Sequence, residues 1–235
     1  MPIQVMQTVG LRALLTLLAS VPSLVPVHAQ DMQDGQVWVQ VVALGQISEN
    51  WRTHLEIQPR VFEDASELGL TIVRVAVGRQ LTPRVSLWGG YAWIPRTLGP
   101  ETHHEQRVWQ QLAITFPNAG RWMPTARIRQ EQRWLDQWGD TVHRVRLMGR
   151  VQRPLRESRW HVAVYDEAMF TLDTTTPGPY SGYDRNRLFG GIGHRFSPAF
   201  TTELGYLWEN STIRGPLQRN DHVVLAMLNL SWPRR

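Results

Sequence analysis

The sequence predicts an all-β fold, namely an antiparallel transmembrane β-barrel of about 10–12 strands with short periplasmic turns and longer extracellular loops. Three observations lead to this prediction: apolar and polar residues alternate along many segments, these segments are long, and tight and long connections alternate between them. The chain has 235 residues, 42% of them hydrophobic and 19% charged, and a negative mean hydropathy. No stretch after residue 30 approaches the roughly 20 apolar residues that a membrane-spanning helix needs. A helical membrane bundle is therefore excluded, whereas soluble domains and β-barrels remain, because alternating strands keep the average hydropathy low.

The first thirty residues have the features of a secretory signal peptide. Residues 1–29 contain no acidic residue, and Arg12 precedes an apolar run over 13–27. The run is followed by Ala29, at an A-x-A-like cleavage site with small residues before the cut. We therefore predict a signal peptide over 1–29 and a single β-barrel domain over 30–235; an uncleaved N-terminal anchor is the alternative. With no cysteine in the chain, export to the outer membrane of a Gram-negative bacterium requires no disulfide.

The clearest predicted strand runs from Trp51 to Val61. Its odd-numbered residues are apolar or small and its even-numbered residues are polar, and a period of two indicates a strand with two different faces. Similar patterns recur in ten further segments. They cover 37–46, 68–80, 85–95, 105–116, 124–134, 142–153, 159–170, 185–196, 201–209 and 221–232. Many of these segments have the 9–11 residues of a tilted membrane-crossing strand rather than the 5–6 usual in soluble proteins.

The connections between the predicted strands alternate in length. Tight turns are predicted at 47–50, 81–84, 117–120, 155–158 and 197–200, and longer loops at 62–67, 96–104, 135–141, 171–182 and 210–220. Outer-membrane barrels show this alternation. Eleven segments are counted, but bacterial barrels of one chain have even strand numbers. We therefore expect a twelfth strand, from a split of 62–80 or from 30–36; the alternative is that the first strand does not join the barrel wall.

One face of the predicted strands carries apolar residues, with aromatic residues near the strand ends. We predict that these aromatics lie at the membrane–water interfaces, because such rings have one apolar and one wet edge. They are Trp51, Tyr91, Trp93, Trp134, Trp160, Tyr206, Trp208 and Trp232. The alternative is that they form the core of a soluble sandwich.

The opposite face is densely charged, and every one of the 25 basic residues in the chain is arginine. In a closed barrel this face lines the lumen. The predicted luminal charge network consists of Glu56, Arg60, Arg127, Arg129, Glu131, Arg133, Arg144, Arg146, Arg150, Arg185, Arg187 and Glu203. It has two interpretations: a structural ladder of ion pairs, or a small pore whose surplus arginines attract anions.

The chain resembles the domain-of-unknown-function 2490 family of bacterial outer-membrane barrels. The resemblance is carried by Trp38 with the Trp51–Arg60 segment, by the central segments Arg127–Trp134 and Arg144–Arg146, and by a late set of strands. The late set contains Arg185–Gly193, Glu203–Tyr206 and Asp221–Val223. The resemblance implies an outer-membrane β-barrel and supplies no activity, because that family has no established one.

No catalytic, cofactor or metal site is predicted. The strand histidines lack a serine partner of the kind that outer-membrane lipases use. The acidic residues considered for protease chemistry are Asp140, Asp166 and Glu167, which we expect on the extracellular rim. The His103-His104-Glu105 run supplies two ligands on one strand face, fewer than a metal requires, and is interpreted as an exposed loop edge.

We therefore predict an outer-membrane barrel without enzymatic activity, porin-like in its role as a structural or small-pore protein. The alternatives are a lipid-modifying outer-membrane enzyme and a soluble periplasmic binding protein. The expected partners are outer-membrane lipid, lipopolysaccharide and the barrel-assembly machinery, and not nucleic acid, because the arginines alternate along strands of an exported chain.

Overall fold

A computed structural model of the protein describes residues 32–98, 101–138, 140–156, 158–176, 178–214 and 217–232. The predicted signal peptide, 1–29, lies outside the described residues. Among the described residues, no helix has the length and apolar character needed to cross a membrane.

The described residues form eleven strands, and each contains one of the eleven segments expected from alternation or most of it. They are β1 (Met32–Gln46), β2 (Trp51–Phe62), β3 (Glu67–Thr82), β4 (Val85–Leu98), β5 (Glu101–Thr115), β6 (Met123–Leu135), β7 (Val142–Pro154), β8 (Trp160–Thr171), β9 (Gly182–Ser197), β10 (Phe200–Arg214) and β11 (Leu217–Trp232). Most of the strands are longer than predicted, because pairing continues into polar residues beyond the alternating apolar segments.

Each strand pairs with its sequence neighbours in antiparallel fashion, and the sheet closes into a barrel by parallel pairing of β1 with β11. The closing register runs from Met32 opposite Arg219 to Gly45 opposite Trp232. The expectation of a twelfth strand is wrong for the described residues: 67–82 is one strand, and residues 32–36 extend β1. A parallel closing pair removes the need for an even number, since the first and last strands then run in the same direction.

The two ends of the barrel are named here by their connections. The turn end carries 47–50, 83–84, 116–122, 155–159 and 198–199; the loop end carries 63–66, 99–100, 136–141, 172–181 and 215–216. The predicted strict alternation of short turns and long loops is wrong. At the loop end, polar pairs such as Thr97 opposite Thr102 extend β4 and β5, so that only two residues of the sequence lie between these strands. At the turn end, the connection 116–122 is longer than expected.

Side chains alternate between a buried inward face and an exposed outward face, as β2 illustrates. Glu56, Gln58 and Arg60 are buried, whereas Leu55 and Ile57 are each 48% exposed. The barrel thus has charged residues on its inner face and apolar residues on its outer face. The interior also contains an apolar cluster on one wall, made of Trp38, Ala163, Phe189, Leu207, Val223, Leu225 and Met227.

Glycine permits close approach of two strands next to this cluster. A Cβ on Gly205 would lie 2.6 Å from the ring of Phe189 and 2.6 Å from the Cα of Gly191. The Phe189 side chain therefore packs in the space that these two glycines leave open.

Candidate functional site in the barrel lumen

The arginines whose side chains the structure describes fall into two groups, one in the lumen and one at the turn end. Thirteen are luminal, and all are buried or half-buried. They are Arg60, Arg74, Arg96, Arg107, Arg127, Arg129, Arg133, Arg144, Arg146, Arg150, Arg185, Arg187 and Arg219.

Nine carboxylates reach the lumen with them. They are Asp34, Glu56, Glu105, Glu131, Glu167, Asp184, Glu203, Glu209 and Asp221. Thirteen arginines against nine carboxylates leave an excess of four positive charges among the described luminal residues. Because the excess is enclosed in a low-dielectric wall, it acts on any small ion that enters more strongly than it would in water.

The centre of the network is built on two carboxylates, Glu131 and Glu167. Glu131 is fully buried, and its Oε2 accepts a hydrogen bond from Arg144 Nη2 at 2.6 Å while its Oε1 accepts one from Arg146 Nη1 at 2.9 Å. Arg146 also donates to both oxygens of Glu167 at 2.8 Å, and Arg127 Nη2 donates to Glu167 Oε1 at 2.6 Å. Arg146 thereby links the two carboxylates across β6, β7 and β8. Such forked pairs suit guanidinium geometry, which an ammonium group cannot reproduce.

A second cluster surrounds Glu105, which is fully buried. Its Oε1 accepts hydrogen bonds from Arg107 Nε at 2.7 Å and from Arg133 Nε at 2.6 Å, and its Oε2 accepts one from Arg96 Nη2 at 3.1 Å. One carboxylate therefore has three arginine partners, so the cluster is cationic.

The luminal side near β1 holds an arginine without a carboxylate partner. Arg60 donates to Gln58 Oε1, and its Cζ lies 3.6 Å from the centre of the Trp38 ring. Arg187 lies 5.0 Å from the same ring and donates to Glu209 Oε2 at 2.5 Å; Glu209 also accepts from Arg185 at 2.9 Å. The indole ring compensates part of the charge of Arg60 through a cation–π contact, and its guanidinium remains available to an anion.

A cavity of about 330 Å³ lies among these clusters. Twelve arginines line it but only four carboxylates, Glu56, Glu167, Glu209 and Asp221. Buried guanidinium nitrogens without a hydrogen-bond partner include Arg129 Nη1 and the Nε atoms of Arg74, Arg96 and Arg127. The cavity is therefore large enough for a small molecule and is lined mainly by donors, which suit an anion rather than a cation.

All twelve residues predicted for the luminal network lie on the inward face. The structure joins Arg127, Arg129, Glu131, Arg144 and Arg146 in the central cluster. It places Arg133 at Glu105, and Arg185 and Arg187 at Glu209. Glu203 pairs with Arg150 at 2.5 Å and contacts His161 at 3.1 Å, so it forms a separate cluster. Glu56 pairs with Arg74, which was not predicted, and not with any predicted arginine.

Two residues were misplaced by the sequence interpretation. Glu105 is not part of an exposed loop edge, because β5 starts at Glu101 and the carboxylate points into the lumen. Glu167 is not a rim carboxylate, because it is buried in the central cluster. The other two carboxylates considered for protease chemistry are Asp166 and Asp140. Asp166 lies on the outer face and accepts a hydrogen bond from Asn186, and Asp140 is an exposed loop residue. Some inward residues that were missed share the parity of a predicted residue on the same strand, as Glu209 does with Glu203, and that signal could have found them.

The eight predicted interfacial aromatics all lie on the outer face. Seven are 38–50% exposed, and Trp208 is half-buried. Trp51, Trp134, Trp160 and Trp232 stand at strand ends as expected. The other four, Tyr91, Trp93, Tyr206 and Trp208, lie within β4 and β10, because these strands extend further than predicted. Their interfacial role stays a prediction.

The second group of arginines, called the basic rim below, lies at the turn end. Its eight members are Arg52, Arg79, Arg84, Arg121, Arg153, Arg156, Arg159 and Arg195. All eight side chains are exposed, and none forms an ion pair with a described carboxylate. The loop end has the opposite charge, since its connections and strand starts carry six exposed carboxylates, namely Glu63, Asp64, Glu67, Glu101, Asp136 and Asp140.

Within the described part of the chain, no group of three or more acidic or histidine side chains is arranged to hold a metal ion. His103 instead contacts Asp136 and Glu101, while His104 stacks on Trp93. No described histidine ring hydrogen-bonds a serine hydroxyl.

At the loop end, hydrogen bonds from the backbone N–H and the ring of His143 lower the pKa of Asp173, and they tie the 172–181 connection to β7.

Comparison with known proteins gives two findings. A family model described as "Protein of unknown function (DUF2490)" matches residues 35–220. An uncharacterized protein of Methylorubrum extorquens is 27% identical over 216 residues, which cover 91% of this chain and 94% of that protein. The family match reaches from β1 into the first residues of β11.

Proposed function

Because the chain belongs to the DUF2490 family of proteins of unknown function, we propose a role from its geometry: an outer-membrane β-barrel with a narrow, anion-selective lumen. The barrel has no catalytic role in this proposal. The turn end faces the periplasm, where β11 ends, and the loop end faces outward.

The outward face of β11 supports the membrane setting. Between Trp232 and His222 its outward residues are Leu230, Leu228, Ala226 and Val224. Ten residues at about 3.4 Å each, tilted by about 40°, span about 26 Å along the barrel axis, close to the apolar band of about 25 Å in membrane barrels. Soluble monomers rarely expose a continuous apolar surface of this extent.

The single observation that carries the pore proposal is the cationic cavity inside the barrel. Ion pairs such as Arg150–Glu203 and Arg144–Asp184 join strands that are not neighbours, so side chains cross the lumen and leave no wide channel. Large solutes are thereby excluded, whereas a small anion can exchange between Arg60 and the other arginines that line the cavity. Surplus positive charge lowers the barrier for anions and raises it for cations.

Planar-bilayer recording tests this function. The purified chain is expected to give small stepwise conductances, and the reversal potential in a salt gradient is expected to show a preference for chloride over potassium. Replacement of Arg60→Gln is expected to reduce that preference about twofold, because it removes a luminal charge without a carboxylate partner. Arg79→Gln, on the basic rim, is the matched control with the same loss of charge and no expected change. A silent bilayer, or selectivity for cations, would contradict the pore.

A further inference from the structure

Five of the eight rim arginines lie together on three neighbouring hairpins, β5–β6, β7–β8 and β9–β10. This basic patch consists of Arg121, Arg153, Arg156, Arg159 and Arg195. The hairpins contact each other: Arg121 Nη2 donates to the carbonyl oxygen of Arg156, and Arg159 Nη1 donates to that of Phe196 at 3.3 Å. The arginines are thus held near each other by backbone carbonyls rather than by carboxylates.

The basic patch has little negative charge to balance it. Segments 116–122, 153–159 and 195–200 contain these five arginines and a single acidic residue, Glu157, which leaves an excess of four positive charges. Like charges at this density repel each other, and a bound anion would relieve the repulsion. Guanidinium groups suit phosphate, because their planar donors bind two of its oxygens at once.

Exposed aromatic side chains stand among the arginines of the basic patch. Trp122, Trp160 and Phe196 are 42%, 47% and 51% exposed, and Arg153 Cζ lies 5.0 Å from the ring of Trp122. Aromatic rings are enriched at the level of lipid headgroups, where they anchor a protein to the apolar boundary. A soluble anion would use the arginines alone, whereas a lipid uses both the arginines and the rings.

We propose that the basic patch binds the phosphate group of anionic phospholipid in the membrane leaflet at the turn end. This inference rests on the proposed membrane setting and adds a lipid partner and a binding surface to it. The apolar outer face continues directly below the patch, so a phospholipid bound there keeps its acyl chains against the barrel wall. The acidic loop end has no comparable set of exposed arginines among the described residues, so the lipid preference belongs to one leaflet.

Spin-labelled lipids test the proposal in reconstituted bilayers. The full exported chain is inserted in phosphatidylcholine membranes that contain a trace of spin-labelled phosphatidylglycerol or spin-labelled phosphatidylcholine. The motionally restricted fraction of each label gives its relative association with the barrel. We expect phosphatidylglycerol to associate about fivefold more strongly than phosphatidylcholine at low salt, the effect of about one arginine–lipid charge contact. We expect the preference to fall towards one in about 1 M NaCl, because exposed charges are screened there.

Two charge-matched triple variants locate the binding surface. Arg121→Gln, Arg156→Gln and Arg159→Gln together are expected to abolish the preference. Arg52→Gln, Arg79→Gln and Arg84→Gln remove the same charge from the other part of the basic rim and are expected to retain most of it. Equal loss in both variants would show that the patch is not the site.

The outcomes separate this inference from the proposed function. If the barrel inserts but shows no preference between the labelled lipids, phospholipid binding is wrong and the membrane proposal stands. If only added lipid A competes, the assignment to phospholipid is wrong. If the chain inserts in no bilayer, the proposed function itself fails.

Discussion

Luminal and rim arginines are the same residue type in two environments, and they differ in what balances their charge. Arg146 in the lumen is buried between Glu131 and Glu167, whereas Arg156 on the basic rim is exposed and has no described carboxylate partner. The luminal group is balanced mainly by the protein itself, and we propose that the rim group is balanced by lipid. The complete absence of lysine from the chain suits both groups, because carboxylate and phosphate each accept the guanidinium fork.

From this comparison we expect that removing a charge lowers the free energy of unfolding much more in the lumen than on the basic rim. A luminal carboxylate holds several buried cations, so its loss leaves them uncompensated in a low-dielectric interior. A rim arginine is hydrated, so its loss has little effect on the folded barrel itself.

Glu131→Gln is expected to have the largest effect. It removes the charge that Arg144 and Arg146 contact, and breaking a buried pair in this way costs about 3–5 kcal/mol. Urea unfolding of the refolded barrel, followed by tryptophan fluorescence, measures the change. The control Glu67→Gln lies at the exposed loop end and should change the free energy of unfolding by less than about 0.5 kcal/mol. Equal stability of the two variants would mean that the luminal pairs do not hold the barrel.

Ala226→Arg tests whether the outer face lies in lipid. Ala226 is an outward residue of β11, six residues from Trp232 and four from His222, near the middle of the apolar band. An arginine there is expected to make the free energy of folding less favourable by about 2–4 kcal/mol in a bilayer, and to leave it almost unchanged in water. The free energy of folding into vesicles measures it, with His222→Arg near the edge of the band as the control, expected at about 0–1 kcal/mol. No penalty for Ala226→Arg would place the outer face in water.

Gly205→Ala tests the packing of the luminal wall between β9 and β10. The added methyl group would collide with Phe189 and with the backbone of β9, and overpacking of this kind costs about 1–3 kcal/mol. Gly89→Ala is the matched control, because a Cβ at Gly89 meets nothing within 4 Å. Unfolding of both variants in the same detergent measures the difference, and the same midpoint for both would contradict the close contact.

Arg84→Gln is expected to have the smallest effect on stability. Its side chain is exposed on the basic rim, so the free energy of unfolding in detergent should change by less than about 0.5 kcal/mol. Arg146→Gln in the lumen is the comparison variant and should be strongly destabilised. A large loss of stability from Arg84→Gln would remove the distinction between the two groups.

Sequence alternation predicted the eleven strand segments, but not their ends. Hydrophobic periodicity marks only the part of a strand whose outer face is apolar. Where both faces are polar, as at Thr97 and Thr102 in the β4–β5 hairpin, the pattern disappears although pairing continues. The even strand number expected from related architectures gave the wrong total, because it assumes that the closing strands are antiparallel.

The candidate site was predictable in part, for a similar reason. Residue parity identifies the inward face, so residues such as Glu131 and Arg146 could be assigned to the lumen from their spacing. Parity does not say which strands that are not neighbours meet in the lumen, so Glu167 on β8 was not connected to Arg127 on β6. Glu105 was not connected to Arg133 on the neighbouring strand, because it was interpreted as part of a loop edge. Asp184 also departs from parity, because an irregularity in the β8–β9 register lies next to it and its carboxylate reaches Arg144.

Heat-modifiable migration of the native chain tests the central claim most directly. Outer-membrane fractions from cells that express the chain are run on a gel in mild detergent, one half boiled and the other not. We expect the chain in this fraction, we expect that detergent is needed to extract it, and we expect the unboiled and boiled samples to migrate at different apparent sizes. A chain that is extracted without detergent and migrates identically in both lanes would contradict the account.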